Sequence, residues 1–301
     1  MYINKLSIVF ILFFSASMVY SQEKDEGKSL KVISYNIWNG FDWAKDTARQ
    51  EKVLNWIDAQ KPDVVALQEL CGYTRKKLLN DAKSWGHSYA EILKTSGYPV
   101  GITSSKPIEL KERILENMHH GALLCQTWGV DFMVIHCSPF SYEKRHEEAD
   151  IILSKLAEIR TTQDKYIVLG DFNAVSPFDA HYYTGNKEML KSKRESETKH
   201  EHVRNLLGGE LEYGAISAYL SFPLIDVVQR NTTELDQRIS CPTQVFEKEK
   251  GKGRHPGSTR IDYIMASPFL GKACTKARVF NGEDTYYLSD HYPVIAEFEF
   301  N

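Results

Sequence analysis

Three short runs of uninterrupted apolar residues, Val64–Leu67, Phe132–Ile135 and Ile167–Leu169, constrain the fold of this chain more than any other feature. A strand with one face in water alternates apolar and polar side chains. A strand that is apolar throughout must be covered on both faces. Amphipathic stretches lie between the runs. Asp46–Gln60 places Val53, Trp56 and Ile57 at helical spacing, with Pro62 just past its end. Tyr142–Arg160 places Ala149, Ile152, Leu153, Leu156 and Ile159 on one helical face. Lys31–Tyr35 is expected as another strand, and Arg260–Met265 and Pro293–Phe298 as partly alternating ones. Covered sheets with helices outside them make a layered α/β sandwich. No internal repeat or clean linker interrupts the chain, so residues 31–301 are read as one domain.

The first residues read as an address. Lys5 precedes an apolar run, Leu6–Phe14, and the small residues that follow suit cleavage after Ser21. Residues 1–21 are therefore expected to be a signal peptide and 22–30 a disordered leader. No cysteine follows closely enough for lipid attachment, and no later run is long enough to span a bilayer. The expected location is secreted or periplasmic. Such a compartment permits disulfides, but Cys71, Cys125, Cys137, Cys241 and Cys274 are odd in number and scattered. They are read as mostly buried free thiols, and a paired-cysteine zinc ribbon is excluded. With 37 Lys+Arg against 40 Asp+Glu, bulk charge cannot hold a nucleic acid. A hydrolase that must release its product is still allowed.

The chemistry lies at the ends of the strands. Lys31–Tyr35 runs into Asn36, Val64–Leu67 into Gln68 and Glu69, and Phe132–Ile135 into His136. Ile167–Leu169 runs into Gly170, Asp171, Phe172 and Asn173. Asp262 lies within a strand, and Ser289, Asp290 and His291 precede the last one. Singly these are weak signals, because Asp-x-Asn is often only a turn and a lone histidine is often structural. Together they are not. If the strand ends converge, Glu69, Asp171, Asp262 and Asp290 form a self-repelling acidic cluster that invites a hard divalent cation. His136 and His291 add groups that titrate near neutrality. That inventory suits phosphate-ester hydrolysis: a cation for the anion, a base for water and donors for the phosphoryl oxygens.

These residues resemble the signature blocks of the endonuclease/exonuclease/phosphatase superfamily, in that family's order: Asn36, Gln68–Glu69, Gly170–Asn173, Arg260–Ile264 and Ser289–His291. The resemblance implies a deoxyribonuclease I-like fold of class α/β (α+β). It is a four-layer αββα sandwich of two packed mixed β-sheets flanked by helices. It implies an enzyme, a Mg²⁺-dependent phosphohydrolase, with Mn²⁺ or Ca²⁺ as other candidate ions. Carried over by motif, Glu69 would be the primary metal ligand, with Asn36 beside it and Asp290 assisting. His291 would be the general base, oriented by Asp262. Asp171 and Asn173 would contact the scissile phosphate. His136, followed by Ser138 and Pro139, resembles the histidine block of the deoxyribonuclease I and sphingomyelinase branches. It would stabilise the transition state or protonate the leaving group. Arg260 and His120 are carried, with Asn173, as candidate substrate contacts.

The substrate stays open. His136 argues against the abasic-site endonuclease branch, and Ser258–Asp262 departs from the inositol-polyphosphate phosphatase pattern. A phosphodiester such as DNA or RNA leads, with a phospholipid or sugar phosphate as alternative and a catalytically silent binding protein of the same fold as the non-enzyme reading. A monomer without a stable protein partner is expected. The basic run Lys248, Lys250, Lys252, Arg254 and His255 reads as a polyanion-holding loop or a solvated hairpin. The charged stretch Lys187–Arg204 reads as a solvated helix, a mobile insertion or a lid. Tyr182–Tyr183 and Tyr286–Tyr287 are candidates for membrane contact or packing.

Overall fold

A computed structural model describes residues 28–246 and 257–300. The expected signal peptide and the basic run Lys248–His255 lie outside the described residues. One sheet contains β1 (Lys28–Asn36), β2 (Val64–Gln68), β3 (Tyr89–Ile92) and β4 (Gly101–Ser104). The other contains β5 (Glu109–Ile114), β6 (Ala122–Thr127), β7 (Val130–His136) and β8 (Tyr166–Asp171). A small hairpin follows, β9 (Leu206–Leu207) with β10 (Glu210–Leu211). Then β11 (Ile225–Asp226) and β12 (Asp262–Ala266) complete the second sheet, and β13 (Cys274–Val279) and β14 (Val294–Phe300) complete the first. The orders are β13–β14–β1–β2–β4–β3 and β11–β12–β8–β7–β6–β5, and both sheets mix parallel with antiparallel pairs.

The period of two explains why the central strands are apolar throughout. Val32, Val64, Ala66, Phe132, Val134, Ile167 and Leu169 point between the sheets into one core. Their neighbours Ile33, Tyr35, Val65 and Leu67 point outward, under helices α1 (Thr47–Gln60) and α2 (Arg75–Ala82). Met133, Ile135 and Val168 point outward on the other side, under α3 (Tyr142–Ile159) and α5 (Gly214–Ser221). Helix α4 (Lys187–Lys199) occupies the charged stretch. The four expected layers are therefore present.

Two boundaries differ from expectation. β1 begins at Lys28 and Leu30 is fully buried, so the leader does not extend to residue 30. Pairing with β14 from Lys28↔Phe300 onward is what orders those residues. β12 begins at Asp262, which leaves Arg260 in the preceding loop. Tyr183 is a core residue and Tyr182 and Tyr286 pack against buried clusters, while the Tyr287 hydroxyl donates to Gln244 Oε1 at 3.3 Å. All five cysteines are free thiols, three of them buried.

His87 is a buried polar anchor of the first sheet. Its Nε2 lies 2.9 Å from the Pro62 carbonyl and its Nδ1 2.8 Å from the Thr103 hydroxyl, so the neutral ring donates to one and accepts from the other. Burial lowers its pKa from 6.5 to about 4. The unfolded chain therefore binds the proton first, and this contribution is lost as pH falls from 6.5 toward 4. The gap corresponds to about 3 kcal/mol. Urea unfolding across that window is expected to show the wild type losing more stability than His87→Gln by about that amount. Parallel pH profiles would remove His87 from the account.

Candidate active site

Strand register assembles half of the site. Parallel pairing of β7 with β8 sets His136 opposite Asp171, and antiparallel pairing of β8 with β12 sets Asp171 opposite Asp262. Three adjacent strands thus present one row at the sheet's end. His136 Nε2 lies 3.5 Å from Asp171 Oδ2. The residue before Asp171 must be glycine. Gly170 has φ +141°, and a Cβ there would meet the Ile135 carbonyl oxygen at 2.0 Å. Just beyond, Asn173 (φ +49°) donates its backbone N–H to Asp171 Oδ1 at 2.9 Å and its Nδ2–H to the Cys137 carbonyl at 3.0 Å.

The other half comes from the first sheet. β1 and β2 run parallel with Asn36 opposite Gln68, so Glu69 emerges beside Asn36. Asn36 Nδ2 donates to Glu69 Oε1 and to Asp171 Oδ2, both at 3.2 Å, and so bridges the two sheets. The second Glu69 oxygen accepts the Asn39 N–H at 2.7 Å. Asn39 lies in a left-handed stretch: every residue from Trp38 to Ala44 has positive φ. Each non-glycine residue there costs about 1–2 kcal/mol, so the stretch needs a clamp. Arg49 supplies it. Its guanidinium donates to the carbonyls of Ile37 (2.7 Å), Trp38 (2.8 Å) and Leu288 (3.2 Å) and lies over the Trp38 and Phe41 rings.

The loop before β14 brings Asp290 and His291. Ser289 Oγ donates to the Asn36 carbonyl at 2.7 Å, and Thr243 N–H donates to the Asp290 carbonyl at 2.9 Å. His291 Nδ1 lies 2.8 Å from Asp262 Oδ2, and its Nε2 is 3.8 Å from Asp171 Oδ2.

Burial raises the pKa of Glu69 and Asp290, and each is raised further by a neighbouring carboxylate. Burial and the Asp262 charge raise Asp171. Burial alone would lower His291, but Asp262, Cys241 and Asp171 outweigh it and raise it well above 6.5. His136 is fully buried and lowered, with His120 and His291 adding repulsion. Among the described residues no Lys or Arg forms an ion pair with Glu69, Asp171, Asp262 or Asp290. A concentration of hard oxygen donors without a Lys or Arg partner is the environment a divalent cation fits. Asp171, Asp262 and His291 each offer a ligand atom within 4.8 Å of the others. In that trio, however, Asp262 and His291 already bond each other, which marks them as a proton-sharing unit. Glu69, Asn36 and Asp290 face the same space.

The site thus brings together Asn36, Glu69, His136, Asp171, Asn173, Asp262, Asp290 and His291. His120 joins them, its ring 4.2 Å from that of His136. Arg260 does not, and the expectation of a substrate contact there is corrected. It is fully buried, with its guanidinium 2.7 Å from Asp179 Oδ2 and 2.7 Å from Asp226 Oδ2. Several contributors gave no sequence signal. Ser240 Oγ accepts the N–H groups of Ile261 and Asp262, at 3.0 and 3.1 Å. Cys241, read as a structural thiol, abuts His291. Arg49 is a charged residue on an amphipathic helix, and nothing around it in the sequence signals the clamp.

Rings lead away from the centre: His136 contacts His120, His120 contacts Tyr98, and Tyr98 contacts Trp43. A second arm runs from His120 through His119 and Phe140 to His202. Trp43, Tyr98 and Phe140 are exposed.

Comparison with known proteins agrees with the fold. Curated proteins give no match. Among solved structures, an AP endonuclease from Archaeoglobus fulgidus superposes with a TM-score of 0.62 at 20% identity, covering 89% of this chain and 99% of that one. A 3′-5′ exonuclease from Neisseria meningitidis gives 0.64 at 20% identity, covering 90% and 100%. A Neisseria 3′ phosphatase bound to product DNA hairpin gives 0.64 at 19% identity, covering 89% and 99%. At such identity the likeness shows the shared fold. The sequence model of the Endonuclease/Exonuclease/phosphatase family matches residues 33–291, from within β1 to His291 itself. The chain belongs to the Endonuclease/Exonuclease/phosphatase family of phosphoric ester hydrolases.

Proposed function

We propose that this chain is a secreted, divalent-metal-dependent phosphodiester hydrolase, an endonuclease first among the alternatives. The single observation that carries the reading is the His136–Asp171–Asp262 row closed by His291. It supports a reading in which a base, an acid and donors to a phosphate share one point. Glu69, Asn36 and Asp290 would hold the metal, Mg²⁺ by donor chemistry. When bound, the ion would supply positive charge at a phosphoryl oxygen. Asp262 fixes the His291 ring through Nδ1 and leaves Nε2 facing Asp171, where a water can be aligned and deprotonated. His136 and the Asn173 amide would donate to the phosphoryl or leaving oxygen. The exposed rings from His136 outward support a nucleic-acid strand as substrate, because any base can stack on such rings. The apolar run Leu6–Phe14 supports secretion. Among the described residues no helix is long and apolar enough to cross a membrane.

The test is turnover of plasmid DNA, sphingomyelin vesicles and a phosphomonoester by the purified chain, with Mg²⁺ and with EDTA. EDTA-sensitive nicking of DNA is the expected result, and Glu69→Gln is expected to shift the Mg²⁺ titration to higher concentration. Cleavage of lipid or monoester alone would overturn the nuclease reading. An unchanged Mg²⁺ titration would remove Glu69 from the metal site.

A further inference from the structure

Glu148 of α3 is fully buried, and neither the metal-facing residues nor the proton-sharing pair includes it. A carboxylate is costly to bury unless its oxygens are hydrogen-bonded. Both are, and both to backbone. Oε1 accepts the His119 N–H at 2.7 Å, and Oε2 accepts the Ser138 N–H at 2.8 Å. His119 directly precedes His120 in the loop between β5 and β6, and Ser138 stands two residues after His136, the last residue of β7. The His120 and His136 rings lie 4.2 Å apart. One side chain therefore ties together the two segments that carry this ring pair. Within the His120 loop, the turn bond from the Met118 N–H to the Leu115 carbonyl is long, at 3.4 Å, so the 2.7 Å bond to Glu148 is the firmer tether. Ser138 is gripped a second time by the same helix, since Arg145 Nη1 donates to its carbonyl at 3.0 Å. Between His136 and Ser138, Cys137 donates its N–H to the Asp171 carbonyl at 2.9 Å and accepts the Asn173 Nδ2–H at 3.0 Å. Helix α3 is thereby linked to His120, His136 and Asn173 alike.

We propose that Glu148 is a positioning residue for the reaction: it fixes His120 against His136 and so holds the His136 ring beside Asp171. The inference rests on the reading of His136 as a donor to the phosphoryl or leaving oxygen. The position calls for a carboxylate. Two backbone N–H groups converge on one side chain, and a carboxylate has an acceptor oxygen for each. A glutamine of the same shape has one acceptor oxygen, and its NH2 group would face the other N–H. That leaves a buried donor unsatisfied and releases one of the two segments. A slip of the rings by about 1 Å can cost about 10²-fold in rate.

The test compares the wild type with Glu148→Gln and with a control, Glu147→Gln, whose side chain is exposed. NMR signals of histidine rings isotopically labelled at Cε1 are read beside kcat and KM on the phosphoester that the wild type turns over. Glu148→Gln is expected to shift the His120 and His136 signals and to leave that of His87 in place. It is also expected to lower kcat by about tenfold or more with KM little changed. Glu147→Gln is expected to move none of these. Circular dichroism checks the fold. If Glu148→Gln does not fold, Glu148→Asp, which keeps the charge but shortens the reach, is read in the same way. Unmoved His120 and His136 signals in the folded variant would overturn the proposal, as would shifts that spread equally to His87 or an unchanged kcat. A wild type that hydrolyses no phosphoester would instead count against the functional reading, and the ring signals alone would then decide whether Glu148 sets the pair.

Discussion

Replacing His291 with alanine is expected to lower kcat by about 10²–10⁴-fold, the usual worth of a positioned acid or base. The ring sits 2.8 Å from Asp262 and 3.8 Å from Asp171, where polar strand ends of the two sheets meet. Asp262→Asn keeps the volume but removes the charge that orients Nδ1, so it should lower kcat as well. Because the two residues act as one unit, the double variant should be little worse than the more damaged single one. Circular dichroism separates lost chemistry from lost fold. A loss of less than about threefold in a folded His291→Ala protein would remove this residue from the mechanism, since a general base contributes far more.

The second large effect falls on stability. Arg260→Met is expected to destabilise the protein by about 3–5 kcal/mol, because removing one member of a buried ion network leaves charges without compensation. Arg260 lies between Asp179 and Asp226, and Asp179 is shared with Arg238 at 3.1 Å. Adding Asp226→Asn should recover part of the loss, since the amide can still cap the Gln229 N–H that Asp226 accepts at 3.0 Å. Urea unfolding of the two variants decides the matter. A stable Arg260→Met protein with a raised KM would restore Arg260 as a substrate contact.

The contrast between these residues shows what a sequence can convey. The layered fold was legible because its central strands are apolar throughout, a pattern that only double coverage explains. The site was legible because its residues stand at strand ends, and strand register makes such residues converge. Arg260 was misread because its partners, Asp179 and Asp226, lie 81 and 34 positions away in unremarkable surroundings. Nothing local separates a buried cation from one that reaches the substrate. Ser240, Arg49 and the left-handed turn after Ile37 were invisible for a related reason. They support other functional groups, and such roles exist only in three dimensions.

The centre is built across a seam. Asn36 joins a carboxylate of one sheet to a carboxylate of the other, and Asp262 reaches from the second sheet to a histidine on the loop that enters the first. Each sheet keeps its own covering of helices, so either could slide a little without coming apart. The hydrogen-bonded ties at the centre could not survive that slide. The catalytic groups therefore act as a gauge of alignment between the halves, and the side chains packed between the sheets, Phe132, Val134 and Leu169 among them, set its zero. A misplacement of about 1 Å can cost about 10²-fold in rate. Turnover should fail well before either half of the molecule melts.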